Sequence, residues 1–215
     1  MPVGAALHVR TKPYCNHLTI ALFVVASLLC MKFVDIPFER IDEPIEQVPL
    51  VVVLSQFGRT AGGRVGGAIL ALGVIVLARK RWWQLGLTLI CGLGVQTSAT
   101  DAIKYLAGRP RPQQLDEMLM FYGPGSGFHS FPSSHASFAF MLATIAAAYF
   151  PRYRWLAYGG AAFIAIGRVM LDAHFLSDVM IGGLIGYLAA RLFLCLWPFH
   201  HSVVPTATAS SAPCA

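Results

Sequence analysis

Three short clusters in this sequence hold residues that could do chemistry together. The first, Arg168 to Asp178, reads Arg-x5-His-x3-Asp and lies between two long apolar runs, with His174 between its ends. On a helix a His and an Asp at i,i+4 share a face, so Asp178 can hold the His174 ring in one tautomer and leave a nucleophilic or basic nitrogen. Arg168 adds a planar fork suited to an oxyanion. The second, Phe131 to His135, is a proline-led turn into a helix. Ser133 and Ser134 are favourable N-caps, and the free N–H groups of a helix start bind anions. The third, Lys104 to Pro112, holds a lysine and two Arg–Pro pairs in which each proline restricts the arginine before it.

Taken singly, each cluster has a plain reading: an interfacial ion pair, a capped helix with an incidental histidine, a basic loop at lipid headgroups. Taken together they select an anion. Lys104, Arg111 and Arg168, with Arg109 close by, would place three or four positive charges around His135 and His174. Such a field repels a divalent cation, so no metal site is expected from His135, His174 and Asp178. It suits a phosphate dianion and the added charge of a pentacoordinate transition state.

The elements that must position these residues are apolar helices. Of 215 residues 56% are hydrophobic and 12% charged, about half the charged share of a soluble domain. The mean hydropathy is +0.63. An integral membrane protein of all-α class follows, with spans expected near 17–34, 65–78, 84–107, 134–150, 155–170 and 177–198. Leu50–Leu54 is apolar but too short to cross, and reads as interfacial or re-entrant. The first run has no small-residue cleavage site and reads as an uncleaved span. Residues 1–199 form one six-span domain, and 200–215 a disordered cytoplasmic tail. Nucleic-acid binding is not expected, because the net charge of +6 is dispersed with no basic stripe interleaved with aromatics. The five cysteines have no metal spacing and read as packing residues. Gly62/Gly66, Gly63/Gly67 and Gly182/Gly186 have the spacing of close helix contacts.

Six spans put both chain ends on one side. The turns at 79–81 and 152–154 carry five basic residues and no acids, which assigns them to the cytoplasm. Lys104 and Arg111, then Ser133, Ser134 and His135, then Arg168, His174 and Asp178 all fall at the opposite, outer face. One site built from helix ends requires that coincidence.

At these positions the chain resembles the type-2 phosphatidic acid phosphatase family of membrane phosphatases, related in its site to the vanadium haloperoxidases. The family pattern is K-x6-RP, PSGH and SR-x5-H-x3-D. Lys104 and Arg111-Pro112 match the first part, Pro132-Ser133-Ser134-His135 the second, and Gly167-Arg168, His174 and Asp178 the third. Ser134 stands where the family usually has Gly, and Gly167 where it usually has Ser. The resemblance implies that His174, oriented by Asp178, attacks phosphorus to give a phosphohistidine. His135 protonates the leaving oxygen and then activates water. Lys104, Arg111, Ser133, Ser134 and Arg168 bind the phosphate, with no cofactor. It implies a lipid phosphate substrate at the outer face of a bacterial inner membrane: lipid A, undecaprenyl diphosphate, phosphatidylglycerol phosphate or phosphatidic acid. The loop 108–133 is similar in character to that of lipid A phosphatases in the family. A lipid phosphotransferase, a soluble-phosphate hydrolase, an anion transporter and a silent scaffold are the other readings. Asp101 and Asp172 match no family position and read as salt-bridge partners. His129 reads as a solvated loop histidine, and Phe121, Tyr122, Phe128 and Phe131 as an entrance rim or interface anchors.

Overall fold

The computed structural model describes residues 17–35, 49–77, 82–114 and 121–196. These residues are all-helical: α1 His17–Phe33, α2 Pro49–Gly62, α3 Arg64–Leu77, α4 Trp82–Ala107, α5 Ser134–Tyr149, α6 Arg154–Val169 and α7 Leu176–Leu196. Single 3-10 turns lie at Pro112–Gln114 and Pro151–Tyr153. Each expected span coincides with one helix. Residues 36–48, the basic turn at 79–81 and the tail from 200, with the domain end at 199, lie outside the described residues.

The helix ends follow from their sequences. Gly108 takes φ +58 just past α4, where its missing Cβ would sit 2.2 Å from the Gly123 carbonyl oxygen. That combination of left-handed backbone and close approach suits glycine alone. Ser133 caps α5, its hydroxyl accepting from Ala136 N at 3.5 Å.

One element departs from expectation. Leu50–Leu54, read as interfacial or re-entrant, is part of a longer, 14-residue helix, α2, which forms a bent pair with α3. Gln56, Arg59 and Thr60 break its hydropathy, but Ser55, Gly58 and Gly62 recur at i, i+3 and i+7 and form a buried small-residue stripe. Along it α2 packs on α6, with Gly58 against Phe163 and Ile164. A bend of 64° then leads into α3.

α5 is the central helix. Its contact with α7 depends on Gly182 and Gly186, where a Cβ would lie 2.4 Å from the Ser133 carbonyl oxygen and nearer still to that of Ser137. The expected packing role of this pair is therefore observed, and it brings the start of α7 against the start of α5. Leu85 and Leu89 of α4, Met141, Leu142 and Ile145 of α5, and Ala190 of α7 form the core on one side of α5.

The outside is apolar: Leu22 and Leu28 of α1, Val53 and Phe57 of α2, and Ile69 and Leu72 of α3 are all exposed. Such faces suit lipid rather than water. Among the described residues, Leu176–Cys195 is the one single helix long and apolar enough to cross a bilayer, and α2 with α3 passes as a bent pair. α1 and α5 are apolar but stop at 17 and 16 residues.

Candidate active site

The residues named from the sequence converge. Arg168 closes α6, His174 lies in the turn before α7, and Asp178 falls in the first turn of α7. Ser133 and His135 begin α5, while Lys104 lies in the last turn of α4. His174 is within electrostatic reach of Asp178, Lys104 and Arg168. His135 is within reach of Arg168, His174 and Lys104, and Arg168 is within reach of Arg111. Four helices thus place two histidines and three cations about one volume.

His174 is 4% exposed and Asp178 fully buried. Their expected pairing is looser than a direct hydrogen bond, with Nδ1 3.7 Å from Asp178 Oδ2. Ser130 fills the gap. Its hydroxyl donates to Asp178 Oδ2 at 2.5 Å and lies 3.4 Å from His174 Nδ1. A hydroxyl has one proton, and here Asp178 takes it; the contact with His174 must then run from Nδ1–H to the serine oxygen. Nε2 is left with a free lone pair. Asp178 Oδ2 also accepts from Phe175 N at 3.0 Å, which ties the turn carrying His174 to α7. Burial pushes the His174 imidazole below the usual histidine range, with Asp178 pulling the other way.

The cations differ in how they are held. Arg168 is 5% exposed, yet its Nε has no partner among the described residues. A buried guanidinium in that state is suited to an anion. Lys104 Nζ donates to the His129 carbonyl at 2.7 Å and keeps two further protons. Arg111 is exposed. The Ser133 hydroxyl accepts from Ala136, so a bond to phosphate would use its own proton. Ser134 is half-buried and, with His135, lines a cavity of about 670 Å³ whose remaining walls include Leu72, Ile90 and Phe138.

Three residues of the site were not singled out in the sequence. Ser130 is one. Asp35 is the second: it sits at the end of α1 and is 2% exposed. Arg59 of α2 is the third, within reach of both His135 and Arg168. Arg109 was grouped with the cations around the histidines, but the fold buries it completely. Its Nη1 donates to Asp178 Oδ1 at 2.5 Å and to Ser177 Oγ at 2.8 Å, and Nη2 donates to Asp35 Oδ2 at 2.8 Å.

A family model described as the PAP2 superfamily matches residues 81–201, more than half of the chain. The chain belongs to the PAP2 superfamily. Curated relatives include a lipid A 1-phosphatase of Porphyromonas gingivalis, 29% identical over 89% of this chain and 40% of that protein. Another, from Rhizobium johnstonii, is 38% identical over 38% of this chain and 35% of that protein. The chain therefore spans well under half the length of the curated relatives it matches. A transmembrane PAP2-type phosphatidylglycerolphosphate phosphatase from Bacillus subtilis has a similar fold, with a TM-score of 0.59 and 20% identity over 88% of this chain and 98% of that one.

Both departures from the usual PAP2 pattern have a place in this fold. At Gly167 a Cβ would stand 3.4 Å from Ser55 Cα, so the position that a serine side chain would occupy is closely approached by the α2 backbone. Ser134 is the first residue of α5, where its backbone N–H is free of helix partners and its side chain borders the cavity.

Proposed function

We propose that this PAP2 protein is a membrane-embedded lipid phosphatase acting through a phosphohistidine, with lipid A 1-phosphate as the first substrate to test. The observation that supports it is the His174 arrangement: a buried imidazole with Nδ1 beside Ser130 and Asp178, within electrostatic reach of Arg168, whose buried Nε is unpartnered among the described residues. In the first step His174 Nε2 forms a bond to phosphorus as the bond to the lipid oxygen breaks, and protonated His135 gives that oxygen its proton. In the second, His135 takes a proton from water as the water oxygen displaces His174 and inorganic phosphate leaves. Lys104, Arg111 and Arg168, with the Ser133 hydroxyl and the Ser134 N–H, hold the equatorial oxygens through both steps. The apolar cavity beside His135 is where a lipid chain would lie while its phosphate meets the histidines. Six membrane crossings with this site at the outer face complete the reading.

The test is inorganic phosphate release by the purified protein in detergent with EDTA. The panel is lipid A, undecaprenyl diphosphate, phosphatidylglycerol phosphate and phosphatidic acid, each beside His174→Ala. Release should be greatest from lipid A, survive EDTA and vanish in the variant. Undiminished release by His174→Ala would overturn the mechanism. No release without an acceptor lipid, but transfer with one, would replace hydrolysis by phosphotransfer.

A further inference from the structure

Behind Asp178 lies a second buried layer that the reaction as written does not use. Two carboxylates, Asp35 and Asp178, share one guanidinium, Arg109, and all three side chains are 0% exposed. Asp35 Oδ2 also accepts from Ser177 Oγ at 2.6 Å, and its Oδ1 accepts from Ser177 N at 3.1 Å and from Cys30 Sγ at 3.7 Å. The guanidinium is stacked on Phe175, with Cζ 4.1 Å from the ring centroid, and Phe121 lies 5.5 Å away. Its Nε has no partner among the described residues.

Charge counting gives this layer a purpose. Arg109 alone would neutralise Asp178 and leave little field at His174. With Asp35 present, two negative charges oppose one positive charge, and the group carries a net negative charge while each Arg109 Nη is bonded to a carboxylate. When Nε2 bonds to phosphorus the imidazole becomes cationic, and in a buried site a net negative neighbour stabilises that cation.

We propose that Asp35 is a charge-balancing, positioning residue for His174: it holds Arg109 so that Asp178 keeps its negative charge for the imidazole. Asp35 does not touch substrate and acts through Arg109 and Asp178. The proposal rests on the His174 mechanism above.

The test uses Asp35→Asn and Arg109→Gln in the full chain. Readouts are kcat and KM for phosphate release, the acid limb of the pH–rate profile, and the His174 titration followed by NMR of 15N-histidine-labelled protein. The other groups about His174 (Lys104 of α4, His135 of α5 and Arg168 of α6, with Arg59 of α2 and Arg111 beside Arg168) are the same in all forms, so differences report the buried layer. Asp35→Asn removes a negative charge, so His174 should titrate at lower pH and kcat fall about 10- to 100-fold with little change in KM. Arg109→Gln removes the positive charge, so His174 should titrate at higher pH. A purely structural role would lower folding yield without moving the titration in opposite directions, and an unmoved titration in folded Asp35→Asn overturns the proposal even if Arg109→Gln fails to fold. The NMR titration needs no turnover. A wild-type protein that releases no phosphate therefore counts against the phosphatase reading, while the titration shifts still decide the role of Asp35.

Discussion

The Ser130 hydroxyl lies 2.5 Å from Asp178 Oδ2, and that bond determines which nitrogen of His174 is free. Were the serine proton turned toward His174, the ring would have to accept at Nδ1 and carry its proton on Nε2, the atom needed for attack. Asp178 prevents this, since an ionised carboxylate can only accept.

Ser130→Ala should therefore lower kcat about tenfold, by removing the bridge while leaving the direct 3.7 Å contact of His174 with Asp178. KM should be nearly unchanged, because no phosphate contact is lost. Steady-state phosphate release measures both; an unaltered kcat would remove Ser130 from the relay.

The acid limb of kcat/KM should lie below the ordinary histidine value of about 6.5. Burial disfavours the imidazolium, so as pH falls from neutrality His174 stays in its neutral, attacking form longer than a free histidine. The same sign applies to stability. An unfolded chain takes up this proton first, so the contribution of His174 to stability is lost as pH falls below about 6.5. An acid limb above that value would contradict the burial argument.

Arg168→Lys should cut kcat about 10²- to 10³-fold despite the retained charge, because an ammonium cannot reproduce the fork at the buried position. Inhibition by inorganic phosphate should weaken in parallel. A variant with wild-type kcat and phosphate inhibition would mean that Arg168 does not bind the transferred group.

Gly186→Ala should destabilise the protein by about 3 kcal/mol or more, since the new methyl would overlap the Ser137 carbonyl oxygen. Gly159→Ala on α6 meets nothing within 4 Å and should be stabilising by about 0.5–1 kcal/mol. Thermal unfolding in detergent compares the two, and equal melting temperatures would refute the close α5–α7 contact.

Much of the site was legible because its residues occupy helix ends, where short motifs record them: Lys104, His135, Arg168, His174 and Asp178 all sit within a turn of a helix end or in the turn between helices. The rest was hidden for physical reasons. Ser130 sits 48 positions from Asp178, and Arg109 sits 74 positions from Asp35, separations that no local pattern encodes. Asp35 is a lone acid just past an apolar run, a pattern that carries no sign of its burial. α2 was missed because a hydropathy window averages its exposed Phe57 with Gln56 and Arg59, whereas its packing face is written in Ser55, Gly58 and Gly62. The helices themselves were plain, each apolar run matching one helix to within a few residues.

The bonds from Ser177 to Asp35 join residues 142 positions apart. A chain synthesised from its N-terminus therefore holds Asp35 without its Ser177 bonds until α7 has been made. Arg109 reaches Asp35 from the segment after α4, and Ser177 only from α7, the last helix described. Asp178 arrives in the same event, so a chain truncated before α7 lacks both the Ser177 bonds to Asp35 and the carboxylate beside His174. Integrity of α7 and closure of the buried layer behind Asp178 become one condition.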